Sequence, residues 1–309
     1  MLGSIFQLEN ISFNDDGIWI IQIKLCTENH LQLKPIFDTL KAEYHYQQDH
    51  QNLFSFGQYL LKQNSFNDEA EKFYLRLLNE YSYETKDRIQ CYDILGKLAK
   101  DKHNYELSIQ WFNKSMQLKA PDDENLIENY NHLAEIYQLK NNYKQAIQLY
   151  DQALIIFIKI FGDNHPKLVI CLNNIAIAYK REKKYHEAFE YHQKALMILE
   201  KHRPMDHVDL AVSHNNIGVI HRHLGQYDLA LKHYEHALEI YQQSLSSASR
   251  GIARTFRNLG IVYEDKNDLK QALLYYQKAL TIYQQILSPR HSNILAIEEK
   301  IQYISSHLK

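Results

Sequence analysis

Four stretches of the chain repeat one template at a fixed spacing, and no other property narrows its fold as far. They read LAEIYQLKNNYKQAIQLYDQAL (133–154), IAIAYKREKKYHEAFEYHQKAL (175–196), IGVIHRHLGQYDLALKHYEHAL (217–238) and LGIVYEDKNDLKQALLYYQKAL (259–280). A small residue opens each stretch (Ala134, Ala176, Gly218, Gly260), and successive openings lie 42 positions apart. Twelve residues after the opening stands Ala146, Ala188, Ala230 or Ala272; nineteen after it, Ala153, Ala195, Ala237 or Ala279. A period of this kind marks an array of units packed on their neighbours, and such arrays usually bind rather than catalyse.

Each unit holds two amphipathic segments around a short polar break. Ile175, Ile177, Ala178 and Tyr179 precede the break at 181–184. Tyr185, Ala188, Phe189, His192 and Ala195 follow it at spacings that share one helical face. The small residues let two helices approach closely. The largely aromatic residues three, nine and sixteen after each opening fill the space around that crossing. Breaks at 140–142, 224–226 and 266–268 carry Gly, Asn or Asp, which end one helix and begin the next.

Composition agrees with a helical array. Only 9 of 309 residues are Gly and 5 are Pro, while 45% are hydrophobic, enough for an extended core. The formal charge of −2 gives no general electrostatic reason to expect nucleic acid or an anionic membrane as partner. The three cysteines (Cys26, Cys91, Cys171) form no CxxC and cannot all pair within one chain. Free thiols in a reducing, cytoplasmic setting are therefore expected. No secretory leader is expected, and the longest early apolar run, 18–23, is far too short to span a bilayer.

Ala134, Tyr137, Tyr143, Ala146, Tyr150 and Ala153 resemble the tetratricopeptide repeat pattern almost whole. Gly96, Ala99, Tyr105, Ser108, Phe112 and Ser115 form a weaker copy. A degenerate one begins at Gly57, with Phe66, Ala70 and Tyr74 and one extra residue before Ala70. The spacing of 42 exceeds the ordinary tetratricopeptide period of about 34. The added residues lie between units, and Gly162, His165, Pro166, Leu172, Asn173 and Asn174 make 157–179 resemble the repeats of kinesin light chains and nephrocystin-like proteins. No heptad coiled coil precedes the array, so a true kinesin light chain is not expected.

The beginning does not fit the template. Segments 4–8 and 18–25 are rich in Ile, Phe and Trp around the turn sequence Asn14-Asp15-Asp16-Gly17, which predicts a β-hairpin. Residues 3–41 resemble the closing strands of arginine-specific mono-ADP-ribosyltransferase domains fused to tetratricopeptide arrays. In that family the Glu-x-Glu pair and the NAD-binding residues lie upstream of this segment. Glu9 is the only acid before Asp15, so the resemblance implies at most a remnant without its chemistry.

Motifs for catalysis are missing: no GxSxG, no Gly-rich phosphate loop, no Cys/His constellation. The histidines of HEAFEYH (186–192) are six apart and do not follow HExxH spacing. His192 and His221 fall at core aromatic positions of the repeat, so no metal site and no cofactor are expected. The resemblance implies instead that the first helix of each pair lines an inner groove, faced by positions −3, −2, +1, +4 and +5 from the small residue. Those positions supply Asn131, Asn173 and Asn215 at −3, and Asn174, Asn216 and Asn258 at −2. An amide donates and accepts, so a ladder of them can grip an extended peptide backbone. Lys180, Arg181, Arg222, Arg254 and Arg257 lie around it, while Glu135, Glu264 and Asp265 dilute the charge toward the ends. Such a groove favours an acidic peptide or a free carboxyl terminus.

The sequence thus predicts an all-α, right-handed superhelical solenoid of about six tetratricopeptide helix pairs plus a capping helix, preceded by a short N-terminal β-hairpin. The hairpin takes 1–26, a linking helix 27–52, the array 53–290 and the cap 291–309, whose Ile294, Ile297, Ile301 and Ile304 share a face. The expected function is a non-enzymatic scaffold or adaptor. Its peptide-binding residues would be Asn131, Asn173, Asn174, Asn215, Asn216, Asn258, Lys180, Arg181, Arg222 and Arg257. Two rivals remain: the repeat portion of an NAD-dependent arginine ADP-ribosyltransferase whose catalytic part lies elsewhere, and self-assembly through the hairpin edge.

Overall fold

The computed structural model describes residues 6–13, 19–25, 61, 67–80, 85–244 and 249–308. The predicted hairpin turn at 14–17, the linking helix at 27–52 and the start of the degenerate repeat at Gly57 lie outside the described residues, as does Cys26. Two strands, β1 (Phe6–Phe13) and β2 (Trp19–Leu25), pair antiparallel from Phe6 opposite Leu25 to Phe13 opposite Trp19. The first strand runs five residues past its predicted end. Its apolar positions change phase, from 6 and 8 to 11 and 13, and the pairing shifts register between Leu8 and Asn10. A bulge absorbs one extra residue, so alternation continues beyond the point where the sequence pattern breaks.

Twelve α-helices follow among the described residues. The chain divides into two units, Met1–Lys119 and Ala120–Lys309. The first unit contains α1 (Asn67–Glu80), α2 (Thr85–Asp101) and α3 (Tyr105–Gln117). Ala70, Phe73, Tyr74 and Leu77 of α1 pack with Cys91, Leu95 and Leu98 of α2. Ser108 of α3 donates its hydroxyl to the carbonyl of Gly96 at 2.6 Å, tying the second helix of the pair to the first.

The second unit holds four pairs and a cap. These are α4 (Asn125–Leu139) with α5 (Tyr143–Phe161), and α6 (Leu168–Arg181) with α7 (Tyr185–His202). Next come α8 (Val208–His223) with α9 (Tyr227–Gln243), then α10 (Ser249–Asp265) with α11 (Leu269–Ile286), then α12 (Ser292–His307). Each helix packs on its neighbours in sequence, and the first helices α8 and α10 also touch. All eight template alanines at twelve and nineteen are fully buried.

The opening residue meets the aromatic sixteen positions later. A Cβ added to Gly218 would stand 2.7 Å from the ring of Tyr234, and one on Gly260 would stand 2.8 Å from that of Tyr276. Gly96 and Phe112 of the first unit repeat the arrangement at 2.9 Å. Where the opening residue is Ala134 or Ala176, the facing side chains are the template equivalents Tyr150 and His192, both buried.

Among the described residues, the five turns within pairs close in one way. The residue seven after the opening has positive φ: His103 (59°), Asn141 (60°), Lys183 (62°), Gly225 (73°) and Asn267 (60°). The next residue's N–H bonds back across the turn, as from Asn142 to the Tyr137 carbonyl and from Asp268 to that of Tyr263, both 2.8 Å. The left-handed residue makes that closure possible. Asn142 and Asp268 then cap the second helix by accepting from Gln145 and Gln271. Connectors between pairs share another device. His165, His207 and His291 each accept at Nδ1 from the N–H two residues on, at 3.1–3.2 Å, where α6, α8 and α12 begin.

Candidate functional site

The first helices of the second unit, α4, α6, α8 and α10, carry the residues predicted to bind. The −3 asparagines turn toward the protein. Asn131 is half-buried beside Cys171, whose thiol burial pushes up, and its Oδ1 is shut off from solvent without a hydrogen-bond partner. Asn173 accepts from Nδ1 of His192 at 2.8 Å. That imidazole is held neutral, down to about 4, by burial and then by the charge of Lys180. The amide bond fixes its Nδ1–H tautomer. Asn215 is buried and accepts from Nδ2 of Asn258 at 3.1 Å and from Oγ1 of Thr255 at 3.2 Å, joining α8 to α10.

The −2 residues divide. Asn258 is buried and used in the bond to Asn215, whereas Asn174 and Asn216 are half-buried. The Asn174 carbonyl accepts from Nε2 of Gln138 at 3.5 Å, one pair back. The amides at 215 and 258 therefore link successive repeats, while those at 174 and 216 keep part of their surface open.

The cations come together. Lys180 is half-buried, and burial, then Arg181, Arg222 and Arg254, pull its ammonium below its ordinary value. Arg181 is exposed. Arg222 reaches Asp265 at 3.4 Å, and Nη1 of Arg257 reaches Asn293 at 3.5 Å. The charges of Arg222, Arg257 and Arg254 all act on Tyr234. Nε of Arg257 and the hydroxyl of Tyr234 are closed to solvent and lack hydrogen-bond partners, while the side chain of Arg254 meets the Tyr241 hydroxyl. Unmatched buried donors of this kind call for an acceptor. Spacing pointed to Lys180, Arg222 and Arg257; what it did not contain was the buried tyrosine hydroxyls beneath them and the side-on ties to Asp265 and Asn293.

Two further features escaped the sequence reading. One is a histidine cluster on α8 and α9. His214 and His233 meet Nδ1 to Nδ1 at 3.0 Å, with His236 and His221 stacked against His214 and His233 at centroid distances of 5.6 and 5.2 Å. Its signal was available: His214 and His233 stand 42 residues after Leu172 and Tyr191. The other is a cavity of about 450 Å³ between α5, α6 and α7, lined by Leu154, Ile158, Leu172, Tyr191 and Met197 and edged by Asp163 and Lys201. Among the described residues, no group of three or more His, Cys, Asp or Glu is placed to hold a metal ion, and Cys91 and Cys171 are buried free thiols. No helix among them is long and apolar enough to cross a membrane.

Comparison with known proteins bears on the array. The tetratricopeptide repeat profile matches residues 125–201 and 209–285. The apo form of RapI superposes with a TM-score of 0.69 over 88% of this chain and 79% of its own, at 17% identity. BtubC (BKLC) from P. vanneervenii gives 0.59 over 75% and 96%, at 22% identity. A putative kinesin light chain from Podosopora anserina with nearly identical TPR-like repeats gives 0.50 over 61% and 88%, at 20% identity. At these identities the likeness is one of fold. The uncharacterized protein ycf37 of Cyanophora paradoxa is 30% identical over 87 residues, 28% of this chain, which spans 48% of that relative's length. These matches do not support the resemblance of residues 3–41 to an ADP-ribosyltransferase domain, since the profile begins only at residue 125. That resemblance rested on loose apolar strand patterning, which any hairpin shares. The chain belongs to the tetratricopeptide repeat family, and the TPR-like repeats of a putative kinesin light chain are among its structural neighbours.

Proposed function

We propose that the chain is a non-enzymatic interaction scaffold that holds an extended, acidic segment of a partner protein along α4, α6, α8 and α10. On a right-handed superhelical course these helices form the concave side of the second unit. Tetratricopeptide arrays are in general protein-interaction scaffolds, and the finer reading is supported chiefly by one observation. Lys180, Arg222 and Arg254 stand close enough that burial and then the guanidiniums, Arg181 included, depress the lysine, and Arg222, Arg254 and Arg257 all act on Tyr234, while the carboxylate paired with any of these cations among the described residues is that of Asp265. Such a surface gains from an anionic partner through charge-assisted hydrogen bonds. Asn174 and Asn216 are the amides placed to meet a peptide backbone; Asn173, Asn215 and Asn258 position the helices that carry them.

Capture of a random extended-peptide library by the native chain and by an Arg222→Glu/Arg257→Glu variant tests this reading. Acidic peptides should be enriched on the native chain and lost from the variant, with native helicity kept in both. Enrichment with no acidic bias, or the same peptides on both, would show that the inner helices are not the acidic site.

A further inference from the structure

We propose that the cationic cluster of α6, α8 and α10 is a seat for a phosphomonoester, so that phosphorylation of the bound segment switches its capture on. This rests on the scaffold reading above and adds the chemistry and the regulation of the same site. Three helices from three successive repeats supply the cluster: Lys180 from α6, Arg222 from α8, and Arg254 and Arg257 from α10. Arg254 and Arg257 are three apart on one helix and so lie on the same side of it.

The number and kind of donors select the ligand. A carboxylate has one charge and two oxygens, and a single guanidinium fork satisfies it. Here the guanidiniums of Arg222, Arg254 and Arg257 all act on Tyr234, and Arg222 already reaches from α8 across to Asp265 of α10. A phosphomonoester brings a charge of roughly −1.5 to −2 and three acceptor oxygens, enough to bond more than one fork at once. Arg222 is held at 3.4 Å by Asp265 and Arg257 at 3.5 Å by Asn293, both near the edge of contact distance, so neither tie is tight. Arg254 makes no ion pair among the described residues. Lys180 completes the set as a point charge, half-buried beside Arg222 and Arg254, that a dianion would offset.

Three peptide libraries with acidic flanks and a central Ser, Glu or phosphoserine, each applied to the full chain, test the proposal by fluorescence anisotropy. Phosphoserine peptides should bind about tenfold or more tightly than their Glu counterparts, and an Arg254→Gln/Arg257→Gln variant should bring the two to equal affinity. Equal binding of Glu and phosphoserine peptides to the native chain would overturn the phosphate seat and leave the acidic-segment scaffold standing. No binding of any library would overturn both. A second measurement needs no variant: the ³¹P resonance of a bound phosphoserine peptide should move on adding native chain, and an unmoved resonance at saturation would sink the proposal. Tighter competition by a single-stranded oligonucleotide than by the phosphopeptide would overturn it in favour of a nucleic-acid backbone.

Discussion

Lys183 holds a left-handed backbone at φ 62°, where its equivalents are Asn141, Gly225 and Asn267. A Cβ in that region is strained by about 1–2 kcal/mol, less for Asn and absent for Gly. Lys183→Gly should therefore stabilise the array by about 1 kcal/mol in urea unfolding, whereas Gly225→Lys should destabilise it by a similar amount. An unchanged midpoint for Lys183→Gly would mean that the turn relaxes without cost. The opening position gives the opposite lesson. Gly218→Ala gains helix propensity, but its Cβ would lie 2.7 Å from the Tyr234 ring, and overpacking there should win by about 1–3 kcal/mol. Thermal unfolding of that variant checks the sign. The small residues and the aromatics were both legible in the sequence, because each recurs every 42 positions. Their pairing, position zero against position sixteen, was not, since contact between two helices depends on the crossing they adopt. Likewise the amides were visible as a ladder, yet whether an amide faces a neighbour or solvent is decided by packing. Asn215 and Asn174 read alike and end in different surroundings.

At the scale of helices, histidine does structural work that requires a neutral ring. His165, His207 and His291 accept a backbone N–H at helix starts. His233 is lowered to about 4 by burial and then by His214, His221 and His236, and His192 to about 4 by burial and Lys180. His214 is lowered too, by burial and then by His236, which itself lies 3.3 Å from the Glu239 carboxylate. For rings depressed in the fold, the unfolded chain binds more protons between about pH 6.5 and 4, so stability is full above that window and falls as the pH drops through it. His192 alone accounts for on the order of 3 kcal/mol across the window. Urea midpoints at pH 7.5 and 5 should differ strongly, and His192→Tyr, which restores the commoner residue of the template, should reduce the difference while the His214–His233 pair keeps the rest. A native chain equally stable at both values would refute this account. The repeat register already assigned His192 and His221 to the core, but the cluster around His214 needed two helices to be set side by side before it existed.

At the scale of the whole chain, the cap expected at 291–309 is α12, which places Ile294, Ile297 and Ile304 against Ala272, Tyr276, Ala279 and Tyr283 of α11. Deleting residues 291–309 should raise amide exchange in α10 and α11 while α4–α7 keep their protection, because interactions in an array are between neighbours. A uniform rise across all pairs would instead indicate a single cooperative core. The paired repeats were legible from period alone. The extent of β1 was not, because a bulge hides alternation from any pattern that counts by two.

Helices that pack on their neighbours in sequence also give the second unit a mechanical character. Tension applied at its two ends runs through each pair in series, because the strong contacts among the described residues are between helices adjacent in sequence. The chain should therefore lengthen in discrete steps rather than in one rupture. Each lost repeat of 42 residues would release at most about 140–150 Å of contour, which makes the array a spring with countable turns.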